Sequence, residues 1–366
     1  MIGLSALAFL AATTLAPPPS APVLPEPATP APEQVMAIPP ALKQMLHERI
    51  TPVRSPEQRL YRLVEMVLLP GGLELEYDAE ATQTVAETFA TRRANCLSFT
   101  LLFVALAREA GLDARVQEVR QVVTWYQDKG LIYNAGHVNV GLDVAGRKGT
   151  VDLDRNVLYD RRGPRPISDI RALAHFYNNR GAELMAMEKV EAAKAHYAMA
   201  LSLEPRFTST WNNLGVLHSR LGNDEDAVRH YQTALSIDPK NPAALANATA
   251  LHKRRGEYAR AAQLAARMEK VRQRDPFYHF MLGNQSEDRG DYSAAIRHYR
   301  RAVELYPSAH QFHFGLARSY FLVGNDRNAE RELQLAERMA QSSETKGRYQ
   351  DKLDSLRRLG RRTAQH

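Results

Sequence analysis

Hydrophobic and polar positions change period twice along this chain. Residues 55–68, "SPEQRLYRLVEMVL", open on Ser-Pro-Glu and carry apolar residues at three- and four-residue spacing, which predicts a helix. Residues 79–93, "AEATQTVAETFATRR", predict a second helix. Residues 96–110 are apolar almost all round, the pattern of a helix buried at a domain centre, and Gly111 supplies its C-terminal cap. Past Gly111 the period falls to two, and 114–125, 136–144 and 149–156 predict strands. Helices followed by a small antiparallel sheet predict an α+β domain over residues 41–170.

From residue 171 the helical period returns and the pattern repeats itself. Gly222, Gly256, Gly290 and Gly324 lie 34 residues apart, each between two helical stretches. Ala193, Ala227, Ala261, Ala295 and Ala329 keep the same interval, as do Tyr197 and Tyr231, and Pro205 and Pro239. Together with "YNNRG" (177–181) and "WNNLG" (211–215), this helix-turn-helix unit resembles the tetratricopeptide repeat. Five repeats over 171–340 then imply an all-α superhelix. The third departs from its neighbours: Ala265 and Met268 stand where they have Tyr and Ala, and Pro276 is displaced. Residues 341–366 predict a charged helix that caps the last repeat.

The first 40 residues read differently. Residues 1–16 contain an apolar run of signal-peptide length, with no Lys or Arg before it. Residues 17–40 hold ten prolines in 24 positions, the composition of an extended spacer. The expectation is an exported protein, periplasmic or attached to the outer face of the inner membrane, with a possible membrane tether through the N-terminal segment.

The formal charge of +7 is concentrated at the other end. Residues 346–366 carry seven Lys and Arg against two Asp, so five of the seven excess charges sit in one tail. No nucleic-acid-binding motif accompanies them, so no nucleic-acid partner is expected. No phosphate loop, dinucleotide fingerprint or metal-ligand spacing is present, and His310 and His313 lack an acidic or Cys neighbour. No cofactor and no metal are expected.

The candidate chemistry rests on Cys96, the single cysteine of 366 residues. It follows Asn95, a good helix N-cap, so its sulfur faces unpaired backbone N–H groups and the positive end of a helix dipole. Both favour a thiolate on a rigid mount. The alternative, a buried structural thiol, stays open on position alone. His137 is the one histidine between residues 48 and 174. On its strand Val138, Val140, Leu142 and Val144 face one way, and His137, Asn139 and Asp143 the other. On the next strand Asp152 and Asp154 share a face opposite Val151 and Leu153. A turn near 145–148 brings the start of the first strand beside the end of the second. A Cys–His–Asp set works because imidazole takes the thiol proton and the carboxylate fixes its tautomer.

Residues 91–116, "TRRANCLSFTLLFVALAREAGLDARV", resemble the nucleophile segment of the transglutaminase-like cysteine-enzyme superfamily, with "GHVNV" similar to its histidine strand and "TVDLD" to its aspartate strand. The resemblance covers about 55–160 and implies a papain/transglutaminase-like fold. It implies Cys96 as nucleophile, His137 as general base and Asp152 as the orienting carboxylate. Asp154 is the alternative, favoured if Ala145 and Gly146 form a two-residue hairpin. Two positions depart from the family pattern: Ala94 where glycine is common, and Asn139 where an aromatic is common. The implied activity is amide-bond chemistry, as peptidase, amidase or acyl transferase; a catalytically silent domain in a binding scaffold is the other reading. The repeats imply a protein or peptide partner in a concave groove. Asn178, Asn212, Lys253, Asn284 and Arg318 are its candidate lining, with helix packing as the alternative role for each.

Overall fold

The computed structural model describes residues 28–119, 125–128, 131–134, 137–153, 163–340 and 343–363. Its first helices, α1 (Pro32–Val35), α2 (Pro40–Arg49) and α3 (Pro56–Leu68), each begin on proline, where the missing N–H leaves no helical bond unmade. Ser55 caps α3 by accepting from the Gln58 N–H. Val35 is fully buried, and the Tyr177 hydroxyl donates to the Pro30 carbonyl at 2.7 Å. The last part of the proline-rich stretch is therefore seated on the folded body and is no free spacer. Val35, Met36 and Ile38 provide apolar anchors there. The apolar run 1–16 lies outside the described residues.

Two-residue strands β1 (Glu76–Tyr77) and β2 (Arg93–Ala94) pair in parallel on either side of α4 (Val85–Thr91). The helix expected over 79–93 is thus shorter. Thr84 and Glu87 form a reciprocal capping box at its start, and Arg92, in the left-handed region at φ 59°, ends it. Residues 81–83 are held instead by the next helix, α5 (Cys96–Glu109). The Ser98 hydroxyl donates to the Ala81 carbonyl and accepts from the Gln83 N–H.

Eleven residues of α5, from Leu97 to Ala107, are buried, as its all-round apolar pattern requires. It lies against a four-stranded antiparallel sheet. The strands of the region are β3 (Asp113–Val119), β4 (Trp125–Asp128), β5 (Leu131–Asn134), β6 (His137–Val144), β7 (Arg147–Val151) and β8 (Arg165–Pro166). The sheet order is β7-β6-β3-β8, and β4 and β5 form a separate hairpin. Val116, Val138, Val140 and Leu142 share one core with the α5 leucines and phenylalanines. The turn between β6 and β7 is a two-residue hairpin, with Ala145 and Gly146 both left-handed. Of the expected strands, β7 ends early, at Val151, and β3 is described as far as Val119, with 120–124 outside the described residues.

Ten consecutive helices then build a tetratricopeptide-like superhelix. They pair as α6 (Asp169–Ala186) with α7 (Val190–Leu203), α8 (Thr208–Arg220) with α9 (Asp224–Ile237), and α10 (Pro242–Arg254) with α11 (Tyr258–Arg272). The last two pairs are α12 (Pro276–Asp288) with α13 (Tyr292–Leu305), and α14 (His310–Leu322) with α15 (Asp326–Met339). Pro276 opens α12 rather than closing α11. The four glycines at 34-residue spacing all adopt φ +75°, and Glu188 holds the equivalent place in the first repeat at φ 61°. Strand β5 lies beside α10. Tyr349 and Leu353 of α16 (Ser343–Thr363) are buried against Leu333, Ala336 and Ala340 of the last repeat.

Helix pairs stay in register through matched volumes. Tyr197, Tyr231 and Tyr299 press their rings on Gly181, Gly215 and Gly283, where an added Cβ would overlap the ring. The third repeat exchanges both partners, with Thr249 for the glycine and Ala265 for the tyrosine. The fifth has Ala317 and Leu333 at these places. The irregular repeat therefore keeps its helices together by a compensated swap.

The first repeat is not packed as a separate unit. Ala172, Phe176, Tyr177 and Ala200 belong to the same apolar core as α5 and the sheet. Arg108 pairs with Asp169, and Arg171 with Glu118, across the junction. Residue 170 is a boundary in sequence pattern only.

Candidate active site

The site grows from the start of α5. Asn95 caps the helix, its side chain accepting from the Ser98 N–H at 2.9 Å, and Cys96 is the first helical residue. The sulfur-bearing residue is half-buried, while the helix behind it is sealed in the core. Thr100, one turn on, donates to the Cys96 carbonyl at 2.7 Å and lies 3.3 Å from the Val138 carbonyl, which fixes α5 on β6.

His137 opens β6, hydrogen-bonds with Asp152, and lies near enough to Cys96 for that residue to act on its ring. Its Nε2 lies 2.7 Å from Asp152 Oδ2, so Nδ1 is the ring nitrogen that the carboxylate leaves unused. The His137 and Asp152 side chains are 7% and 9% exposed, dry enough for their attraction to count. Burial would lower the histidine, but the Asp152 carboxylate, and after it Cys96, raise it to about 9. At neutral pH the ring is held as imidazolium.

Register explains which carboxylate arrives. Val140 pairs with Val151, so the same ladder extended by one step sets Asn139 opposite Asp152. The Asn139 amide donates to Asp152 Oδ2 at 3.1 Å, and His137 reaches the same oxygen on the diagonal, two residues along its strand. The tight hairpin is present, yet Asp152 meets the histidine because pairing stops at Val151 and the diagonal neighbour is within reach. Asp154 lies outside the described residues. Asn139 is the residue sequence reasoning undervalued: it stood as a departure from a family pattern, and here it positions the carboxylate.

The five groove candidates do not form one set. Asn178 and Asn212 are buried, 6% and 3% exposed, between neighbouring helices. Asn178 Oδ1 accepts from the Thr210 hydroxyl and the Asn213 amide, both at 3.0 Å, and Asn212 Oδ1 accepts from Asn247 at 3.1 Å. Their oxygens are engaged in an amide ladder from α6 through α8 to α10, so this pair is placed as packing rather than as open lining. Asn284 is half-buried and accepts from the Tyr299 hydroxyl at 2.5 Å. Arg318 is exposed at its rim but paired with Glu287. Lys253 is exposed. Among the described residues no cluster of three metal-ligating side chains occurs.

Residues 44–138 match the transglutaminase-like superfamily, and residues 209–241 and 280–344 match tetratricopeptide repeats. The chain thus carries a transglutaminase-like domain followed by tetratricopeptide repeats. Such repeats generally bind protein or peptide partners. Solved structures with likeness to the chain include a MamA protein, 18% identical, covering 48% of this chain and 95% of its own, at a TM-score of 0.26. YrrB, described as a repeat protein with an unusual peptide-binding site, is 17% identical and covers 49% and 92%, at 0.26. PilF of Pseudomonas aeruginosa is 16% identical and covers 52% and 94%, at 0.28. No curated protein matches the chain.

Proposed function

We propose that the chain is a cysteine-dependent amide-bond enzyme, a peptidase, amidase or acyl transferase, whose repeats bring a polypeptide to it. The observation that supports this most is the 2.7 Å pairing of His137 with Asp152, on a ring that Cys96 also raises. His137 takes the Cys96 thiol proton, which leaves a thiolate beside an imidazolium. The Cys96 thiolate attacks the carbonyl carbon of an amide, and the carbonyl oxygen becomes an oxyanion. First-turn N–H groups of α5, which have no helical acceptors, are placed to stabilise that charge. As the C–N bond breaks, His137 passes its proton to the leaving amine and an S-acyl enzyme remains. The neutral ring then takes a proton from water, giving an acid, or from a second amine, giving a new amide. Asp152 keeps the ring oriented throughout, and Asn139 keeps Asp152 in place. Lys253 and Arg318, exposed on first helices of their repeats, are candidate polypeptide contacts. The apolar run 1–16 supports export, which cell fractionation tests.

The test is the pH dependence of iodoacetamide alkylation, for which the lone cysteine gives a signal of single origin. Wild type is expected to label fast well below about 8.5, where an ordinary thiol ionises. In His137→Ala the fast limb moves up toward that value. Slow labelling that ignores His137 would sink the proposal and leave a structural thiol.

A further inference from the structure

We infer that Arg180 and Glu183, on the first helix of the first repeat, are positioning residues for Cys96; this rests on the reading of Cys96 as a nucleophile. The two side chains hold both backbone polar groups of a single residue, Thr82. Glu183 Oε1 accepts from the Thr82 N–H at 3.0 Å, and Arg180 Nη1 donates to the Thr82 carbonyl at 2.8 Å. Thr82 is fully buried, so its peptide groups have no access to water and rely on these partners. Its hydroxyl in turn accepts from the Asn95 amide at 2.8 Å. With Nδ2 fixed in this way, Asn95 aims Oδ1 at the Ser98 N–H and sets the first turn that carries Cys96. The path runs by hydrogen bonds from Glu183 and Arg180 to Thr82 and from Thr82 to Asn95, the residue joined directly to Cys96.

Three further observations support a positioning role over ordinary packing. Residues 81–83 have no regular secondary structure of their own, and besides the backbone bonds of Ala81 to Asp78 and Asn95 their main-chain hydrogen bonds come from side chains of α5 and α6. Arg180 also lies 3.5 Å from Glu87 of the α4 capping box, so one guanidinium braces both ends of the segment between Thr82 and α4. Glu183 is a costly residue to keep here: burial pushes it up to about 7, against the Thr82 hydrogen bonds and Arg180 that lower it. The acceptor is thus carried at a penalty on the side of the repeat that faces the nucleophile. The consequence is that the repeats reach the chemistry through their base: any partner that shifts α6 alters the aim of the thiolate.

The experiment measures the iodoacetamide rate of the full chain at pH 7 together with its thermal midpoint, in wild type, Glu183→Ala, Glu183→Gln, Arg180→Ala and His137→Ala. Displacing the Asn95 cap is expected to slow labelling roughly ten-fold in Glu183→Ala and Arg180→Ala. Glu183→Gln keeps an oxygen for the Thr82 N–H and should stay within about two-fold of wild type. A merely structural role would lower the midpoint in the alanine variants and leave the rate of the folded fraction untouched; that result overturns the inference. His137→Ala separates the two proposals. If it slows labelling and the Arg180 and Glu183 variants do not, the positioning role alone falls. If it has no effect while the alanine variants slow labelling, the positioning role stands and the triad falls.

Discussion

Replacing Asp152 by asparagine removes a charge and leaves an acceptor in place. Asp152 Oδ2 receives both His137 Nε2, at 2.7 Å, and the Asn139 amide, at 3.1 Å. An amide oxygen can receive the same two donors, so the arrangement survives while the charge that strengthens the hydrogen bond to the ring is lost. Against burial, the hydrogen bond to this carboxylate is the first of the causes that carry His137 from 6.5 to about 9, and the carboxylate's field adds to it. At about 1.4 kcal/mol per pH unit, the difference amounts to about 3 kcal/mol of stability linked to one proton. The sign follows from the direction. The folded chain holds the proton after the unfolded chain has released it, so this stability is whole below pH 6.5 and lost as pH rises through 9. Urea denaturation followed by circular dichroism at pH 6, 7.5 and 9 reads the loss. Wild type should lose about 3 kcal/mol across the interval from this group, and Asp152→Asn less than half of that. Asp152→Ala should add a pH-independent loss of about 1–3 kcal/mol, because it strands the donors of His137 and Asn139 in a dry site. If Asp152→Asn keeps the wild-type slope between pH 6.5 and 9, the carboxylate does not set the histidine and the electrostatic reasoning fails.

Two further predictions concern the repeats. Glu188 sits at φ 61°, where the other four repeats have glycine at +75°. Glu188→Gly should therefore raise the thermal midpoint, by about 0.5–1 kcal/mol of stability, while Gly222→Ala should lower it; an unchanged midpoint in both would show that the turn relaxes freely. Gly215→Thr alone should destabilise by about 1–3 kcal/mol, because its Cβ overlaps the buried Tyr231 ring. The pair Gly215→Thr with Tyr231→Ala copies Thr249 and Ala265, and a double-mutant cycle should give a favourable coupling of about 1 kcal/mol or more, with simple additivity counting against volume matching.

The repeats and the central helix were legible because each is written in a period. A 34-residue interval specifies both helices and their turn, and an apolar residue on every side of α5 can only mean enclosure. What the periods do not carry is which atoms meet. Asp152 and Asp154 share a strand face, and only the end of pairing at Val151 and the diagonal reach of His137 separate them. Asn139 looked like a missing aromatic because its partner lies on the adjacent strand, a relation set by register. Asn178 and Asn212 occupy one repeat position, but that position faces the next helix, where their oxygens satisfy Thr210, Asn213 and Asn247. Composition likewise made residues 17–40 a spacer, and Val35 shows that one anchored side chain can outweigh its proline neighbours. Glu188 left no trace at all, since the glycine series is silent where a different residue bears the same backbone angle.

The shared core of the first repeat has a mechanical consequence. Ala172, Phe176, Tyr177 and Ala200 are set into the packing around α5, so the array has no hinge where it meets the domain. It is mounted like a beam clamped at one end. In a stack where each unit touches only its neighbours, small tilts between units add along the length. The far repeats therefore sweep the widest arc, while the first repeat bears the bending load beside the nucleophile. A partner gripping the distal end works with the longest lever arm, and its pull arrives at α6 as torque.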